Sequence, residues 1–252
     1  MVDMTSLHLD DVSMNTLKQG TQRLGVELTP KHLEQFGIYY EELVIWNKKL
    51  NLTAITDYEE VQSKHFLDSL AVARALDDTG LLSASTLRLL DMGSGAGLPG
   101  LPLKIVFPHI ELVLVDSVAK KTSFLKYLVK RLDLQGVEVV TERAENLAHQ
   151  DYYREGFDAV LSRATGRLPI AAEYTLPFCK IGGYFIAQKK GDIEKELQDS
   201  SRAITLLGGM LSQIKQIDLP QLQDHLLVII AKVAISPITY PRRPGIPAKR
   251  PL

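Results

Sequence analysis

The 252-residue sequence predicts an α/β protein built on a mostly parallel sheet with helices on both faces. From residue 87 onward, short apolar runs alternate with segments of helical periodicity, the order expected of successive strand-helix-strand units. The first run, Leu87-Arg88-Leu89-Leu90-Asp91, opens directly into Met92-Gly93-Ser94-Gly95-Ala96-Gly97, a glycine loop at a strand end, where open sheets bind ligands. Two later runs, 210–217 and 225–232, are about seven residues apart, too few for a helical crossover, so they are expected to pair antiparallel.

Residues 1–28 carry no assigned role. At 29–50, Thr29 and Pro30 give a capped start, and Leu33, Phe36, Tyr40, Leu43 and Trp46 recur at helical spacing. A second helix over 58–76 presents Val61, Phe66, Leu70, Val72 and Ala73, and together these form a helical extension over 29–82. The sheet-forming part, 83–236, then runs as strand 87–91, helix 99–107, strand 111–116, helix 119–132, strands 137–141 and 157–162, helix 169–179 and strand 183–188, before the two antiparallel runs. The tail 237–252 contains Pro241, Pro244, Pro247 and Pro251 among basic residues, and is expected to lack regular structure.

Composition narrows the classes. With 45% hydrophobic residues the chain can bury a sizeable core, and a formal charge of -1 means that any nucleic-acid surface must be a local patch. The single cysteine, Cys179, excludes an intramolecular disulfide framework and argues against a cysteine-based zinc site. The start of the chain lacks the basic and apolar pattern of a signal peptide, and no stretch approaches the roughly 18 apolar residues of a membrane span, so a cytoplasmic protein is expected.

The chemistry concentrates around the glycine loop. Gly93, Gly95 and Gly97 each cost entropy on folding, and three in alternation are expected where the backbone takes positive φ or a ligand comes close. A dinucleotide fingerprint would place a glycine at position 98, where the chain has Leu98. Asp91 is expected to tie down loop amides. Asp116 ends the next strand, 23 positions beyond Gly93, where an acid can accept hydrogen bonds from ribose hydroxyls; the alternative is that it caps helix 119–132. Arg163 ends the fourth strand and is expected to face the ligand crevice, holding a base edge or phosphate, or else to form a salt bridge capping the sheet. Lys189 and Lys190 add charge to the same rim. Lys120, Lys121, Lys126, Lys130 and Arg131 on one helix, with Arg242, Arg243, Lys249 and Arg250 in the tail, would neutralise phosphates or stand solvated. Asn51, His65 and Asp68 are polar groups in apolar company, which alone read as structural residues.

Taken in order, Asn51-Leu52-Thr53, His65-x-x-Asp68-Ser69, Asp91-x-Gly93-Ser94-Gly95-Ala96-Gly97-x-Pro99-Gly100, Asp116-Ser117, Lys121-x-x-Phe124-Leu125, Arg143-Ala144-Glu145, Ser162-Arg163-Ala164 and Lys190-Gly191 carry a resemblance over 33–252. The chain resembles the glucose-inhibited division protein B family, or RsmG, bacterial methyltransferases that modify N7 of a guanosine in 16S ribosomal RNA. The resemblance implies a class I S-adenosylmethionine-dependent methyltransferase fold, Rossmann-like with seven strands, preceded by a helical extension. It implies S-adenosylmethionine contacts at Gly93, Leu98, Ala144, Glu145 and Arg163, beside Gly95, Gly97 and Asp116, with adenine held at Glu145 or the Ala144 backbone. Substrate contacts are expected at Asn51, His65, Asp68, Lys189, Lys190, Arg242 and Arg243. Arg163 would orient the base; no metal and no general base are expected, because guanine N7 already offers a lone pair. The implied partner is 16S rRNA within the 30S subunit or an assembly intermediate, and a monomer is expected. Two other classes are a nicotinamide-dependent oxidoreductase, disfavoured by Leu98, and an assembly factor using the fold only as a scaffold.

Overall fold

The computed structural model describes residues 14–163 and 165–252. Residues 1–13 of the 1–28 segment and Ala164 of the Ser162-Arg163-Ala164 motif lie outside the described residues. The helical part comprises α1 (Asn15–Leu24), α2 (Pro30–Leu50), α3 (Tyr58–Val61), a π-helical turn (Gln62–Leu67), α4 (Asp68–Leu70) and α5 (Val72–Asp78). Thr29 caps α2 by accepting from the His32 amide, and the His32 ring accepts from the Thr29 amide in return.

Seven strands form one sheet: β1 (Leu87–Met92), β2 (Ile110–Asp116), β3 (Val137–Thr141), β4 (Phe157–Arg163), β5 (Cys179–Lys190), β6 (Gly209–Gln216) and β7 (His225–Lys232). Their order is β3-β2-β1-β4-β5-β7-β6, so the chain reverses direction across the sheet between β1 and β4. Strands β1 to β5 run parallel, while β7 lies antiparallel between β5 and β6. The expected pairing of the last two runs is present, and β7 is the one that adjoins β5. Helices α6 (Gly100–Val106), α7 (Ala119–Arg131), α8 (Ala144–Leu147), α9 (Leu168–Thr175) and α10 (Glu194–Leu206) make the connections.

Alternate strand residues fill two cores. Leu89, Leu112, Leu114, Leu161 and Ile229 face one that also contains Leu17, Phe36, Tyr39, Phe66, Leu70 and Phe124, so α1 to α5 share a core with the sheet. Leu90, Val113, Val115, Val160 and Phe185 face the other, closed by Ala144, Ala171, Ala172 and Ile204.

Two helices escape the periodicity for a physical reason. Helix α1 buries Leu17 and Leu24 alongside Gly20 and Thr21, because Leu67 occupies the space beside Gly20, where a Cβ would collide with its methyl groups. Helix α10 buries only Ser200, Ala203 and Ile204, too thin a stripe to stand out. The tail corrects another expectation. It carries a short helix, α11 (Ile246–Lys249), with Pro247 in the first turn, where a missing N–H costs nothing.

The helical part reaches the glycine loop through Tyr39. Its ring is fully buried with its centroid 5.1 Å from that of Phe66, and its hydroxyl donates to the Ala96 carbonyl at 2.6 Å. Tyr39→Phe should lower stability by about 1–2 kcal/mol, since it leaves a buried carbonyl without its donor. Urea unfolding measures this, and an unchanged midpoint would show that the bond contributes nothing.

Candidate functional site

The carboxyl ends of the parallel strands converge on the loop between β1 and α6. Loop amides close back on the sheet: the Gly93 and Ser94 amides donate to the Val115 carbonyl at 2.8 and 3.0 Å, and Ser94 Oγ donates to the Asp91 carbonyl at 2.8 Å. Asp91 Oδ2 accepts from the Gly100 amide at 3.0 Å, so Asp91 holds the first residue of α6, where the loop ends, and not the amides within the loop that the sequence suggested. Asp91 Oδ1 has no partner among the described residues, and burial pushes this carboxyl up to about 7, against the pull of the Gly100 amide and of Arg163. Asp116 serves the loop and the following helix together. Its Oδ2 accepts from the Gly95 amide at 3.0 Å and its Oδ1 from the Val118 amide at 2.9 Å, with Lys121 Nζ 3.7 Å away.

The glycines divide by role. Gly93, at φ 72°, lines a cavity of about 320 Å³ together with Val115, Asp116, Val118, Ala144, Glu145 and Tyr174. Gly97 is buried against the helical part: a Cβ there would stand 2.5 Å from Leu101 Cδ1 and 2.9 Å from the Tyr39 hydroxyl. Its small size serves packing. Leu98 likewise turns its side chain into the first core and does not line this cavity.

A second, larger cleft of about 840 Å³ lies on the other side of the β4 end, with Arg163 on its wall while Thr165 lines the first cavity. Lys64, His65, Asp68, Lys189 and Lys190 line it too. The π-helical turn brings the first three of these together, and leaves the Lys64 carbonyl to accept from Arg163 Nη1 at 3.2 Å. Asp68 sits at the centre: Oδ2 is 3.3 Å from Arg163 Nη1, Oδ1 is 2.9 Å from His225 Nδ1, and the Asp68 carbonyl accepts from Gln188 Nε2 at 2.8 Å. His65 Nδ1 faces the Lys64 carbonyl at 3.1 Å and Nε2 faces Thr53 Oγ1 at 2.8 Å, an arrangement that suits a neutral ring donating through Nδ1. Burial first, and then the Arg163 charge, lower its pKa to about 4.

Other expected substrate residues stand elsewhere. Asn51 is exposed at the left-handed end of α2 and lines neither cavity; Thr53, two residues on, makes the contact to His65. Arg242 is a correction, because its guanidinium is taken by Glu173, with Nε 2.9 Å from Oε1 and Nη2 2.6 Å from Oε2. Arg243 lines neither cavity. Lys189 is paired with Glu196 at 2.6 Å, which leaves Lys190 as the exposed cation of that rim. His225 and Tyr174 had no signal in the sequence. His225 reaches the cleft only because β7 pairs with β5, opposite Lys190, and Tyr174 because one side of α9 faces the first cavity.

Comparison with known proteins places this geometry. The profile of a family described as GidB, rRNA small subunit methyltransferase G, matches residues 32–227. The chain belongs to this family. A "Ribosomal RNA small subunit methyltransferase G" of Dehalococcoides mccartyi is 47% identical over 240 residues, which cover 95% of this chain and 100% of the relative. One from Roseiflexus castenholzii is 46% identical over 228 residues, 90% of this chain and 95% of the relative. Among solved structures, a SAM-dependent methyltransferase from Aquifex aeolicus shares the fold at a TM-score of 0.50 and 15% identity, covering 66% of this chain and 92% of the other. A mutant of MtNAS in complex with S-adenosylmethionine does so at a TM-score of 0.53 and 14% identity, covering 81% and 76%. The fold is thus the α/β methyltransferase architecture, with the sheet and N-terminal helices expected from the sequence. No helix among the described residues is long and apolar enough to cross a membrane.

The two shifted groups should oppose one another in pH. Asp91 binds its proton more tightly when folded, so it costs stability as pH rises from the ordinary carboxylate value of about 4 to about 7. His65 binds its proton less tightly when folded, so its contribution is complete above about 6.5 and is lost as pH falls toward about 4. Relative to wild type, Asp91→Asn should gain stability with rising pH and level off above about 7, whereas the penalty of His65→Gln should shrink as pH falls. Urea titrations across this range test both, and curves parallel to wild type would refute the shifts.

Proposed function

We propose that the chain transfers a methyl group from S-adenosylmethionine to N7 of a guanosine in 16S ribosomal RNA. The observation that carries this reading is the pair of cavities flanking the end of β4 in a chain of this family, one with Asp116 and Glu145 among apolar side chains and flanked by Lys121 and Arg143, the other in which arginine, lysine and histidine outnumber the acids Asp68 and Asp224. The residues present fit the cofactor. Asp116 and Glu145 offer acceptors for ribose hydroxyls and an exocyclic amine, and Val115, Val118 and Tyr174 supply an apolar wall for a purine. Gly93 keeps that cavity open, since a Cβ there would already stand 3.0 Å from Thr165 Cγ2. Ala144 stands beside Glu145 in the wall, where its backbone can meet the adenine edge.

S-adenosylmethionine, when bound, supplies a methyl group made electrophilic by its sulfonium sulfur. What the chain must add is position. Guanine N7 carries an available lone pair, so no residue has to remove a proton. Arg163 is the orienting residue, aimed by Asp68 and the Lys64 carbonyl, and its remaining N–H groups are free to hold guanine O6 or an adjacent phosphate. His65, neutral and fixed by Thr53, shapes the cleft beside it, and Lys190 brings positive charge to the rim.

A stacked guanine would not enter such a cleft, which favours an unpaired or extruded nucleotide presented by the small subunit or one of its assembly intermediates. Action as a monomer, in the cytoplasm where that particle would be met, belongs to the same reading.

The decisive experiment supplies tritiated S-adenosylmethionine to 30S particles, naked 16S RNA, transfer RNA and bulk protein in parallel, and then identifies the labelled nucleoside. Label as 7-methylguanosine in 16S RNA is expected; cofactor binding without label in any of these would favour a scaffold role. Gly93→Val, which fills the cavity floor, should abolish S-adenosylhomocysteine binding in calorimetry while the protein stays folded by circular dichroism. Unchanged affinity would remove the cofactor from this cavity. Arg163→Ala should lower turnover by about tenfold or more, the value of a lost charged contact, with little change in cofactor affinity. Residual activity that merely tracks the folded fraction would make Arg163 structural.

A further inference from the structure

The segment after β7 returns to the far wall of the first cavity and is fastened there at many points. Arg154 Nη2 donates to the Ser236 carbonyl at 2.8 Å and its Nη1 to the Tyr240 carbonyl at 3.0 Å, and Glu155 Oε1 accepts from the Ser236 amide at 2.7 Å. His149 Nε2 lies 3.0 Å from the Pro241 carbonyl. Arg242 then grips Glu173, a fully buried carboxylate on α9, which also accepts from the Arg242 amide at 2.8 Å. Glu173 immediately precedes Tyr174, which lines the cavity. Three residues beyond Arg242, the Gly245 amide donates to Glu145 Oε1 at 2.9 Å.

One of these bonds, from the Gly245 amide, ends on a side chain of the first cavity, Glu145. Glu145 is 4% exposed and sits on α8, a single four-residue turn that cannot hold a rotamer rigidly by itself. The geometry points to Arg242 and Gly245 as positioning residues of the cofactor site: the arm 236–245 fixes the Glu145 carboxylate so that its remaining acceptor capacity meets the exocyclic amine of adenine. The inference rests on the proposed cofactor reading and adds to it a specificity determinant that lies about a hundred residues away in sequence. A carboxylate has acceptor sites to spare, so binding the Gly245 amide aims it without using it up. Because the arm is already docked, the ordering of Glu145 is not left to be done on binding. Basic residues that resemble an RNA-binding tail are thereby given a different task.

The test compares S-adenosylhomocysteine with S-inosyl-L-homocysteine, which carries a carbonyl where adenine has its amine, by calorimetry on the full chain and two variants. Arg242→Ala releases the anchor. A chain ended after Pro244 keeps the anchor and removes the Gly245 amide. Wild type should prefer the adenosyl ligand, and both variants should bind it about tenfold more weakly, the loss of one charge-assisted hydrogen bond. Their affinity for the inosyl ligand should change by less than about twofold, and Arg242→Lys should restore most of the loss. Urea unfolding confirms that each variant is folded under the assay conditions. Unchanged adenosyl affinity, or equal weakening toward both ligands, would overturn the positioning role. A wild type that binds both ligands alike would overturn it through Glu145 while leaving the cofactor cavity in place, whereas a wild type that binds neither would overturn the proposed function as well.

Discussion

The carboxyl edge of the sheet depends on how the loop between β1 and α6 is held, because its backbone forms the floor of the first cavity at Gly93. Three parts of the chain hold it. The sheet does so from below, through the Val115 carbonyl and the Asp91 carboxylate. The next strand holds it from the side, through Asp116 and the Gly95 amide. The helical part holds it from above, through the Tyr39 hydroxyl on the Ala96 carbonyl. The loop has few side chains with which to secure itself, so neighbouring polar groups must satisfy its amides and carbonyls. Helix α2, packed against α6 and α7, carries Tyr39 through the first core to that loop.

Held in this way, the loop shows which parts of the site were legible in the sequence. Apart from α8 and α10, strand and helix order could be read from residue 87 onward because both faces of the central strands are buried, leaving long apolar runs that few other arrangements produce. Gly93 and Asp116 were legible as candidate ligand positions from where they stand in a strand-loop-strand unit, and both line the first cavity. Gly97 was placed with the ligand by the same reasoning and Leu98 by the family resemblance, yet neither lines a cavity: Gly97, at φ 94°, leaves room for Leu101 and Tyr39, and Leu98 packs into the first core. His225 was illegible, since it enters the cleft through the pairing of β7 with β5, a contact between segments that no local pattern encodes. Arg242 misled for a related reason: a basic residue in a proline-rich tail looks solvated until the buried carboxylate that receives it, on a helix some seventy residues earlier, is in view.

The second cleft depends on a different economy, the sharing of Asp68. A carboxylate with 5% side-chain exposure is costly unless its oxygens are satisfied, and here each has its own partner, Arg163 on one and His225 on the other. The π-helical turn ends just before Asp68; Lys64 and His65 within it line the same cleft, and its Lys64 carbonyl accepts from the same Arg163.

That pairing bears on the chemistry proposed for the cleft. Methylation at N7 leaves the purine ring cationic, so a bare guanidinium beside it would oppose the reaction as charge develops. An arginine beside a buried carboxylate presents its remaining N–H donors at much reduced net charge, and can hold a guanine without penalising the cation it becomes. Asp68 therefore does two things with one contact: it aims Arg163, and it offsets the charge that Arg163 would otherwise bring to the site. Asparagine at that position could still aim the guanidinium but could not neutralise it, and so the negative charge of Asp68, beyond its hydrogen bonds, is what would suit the cleft to a reaction that moves positive charge from the sulfonium onto the base.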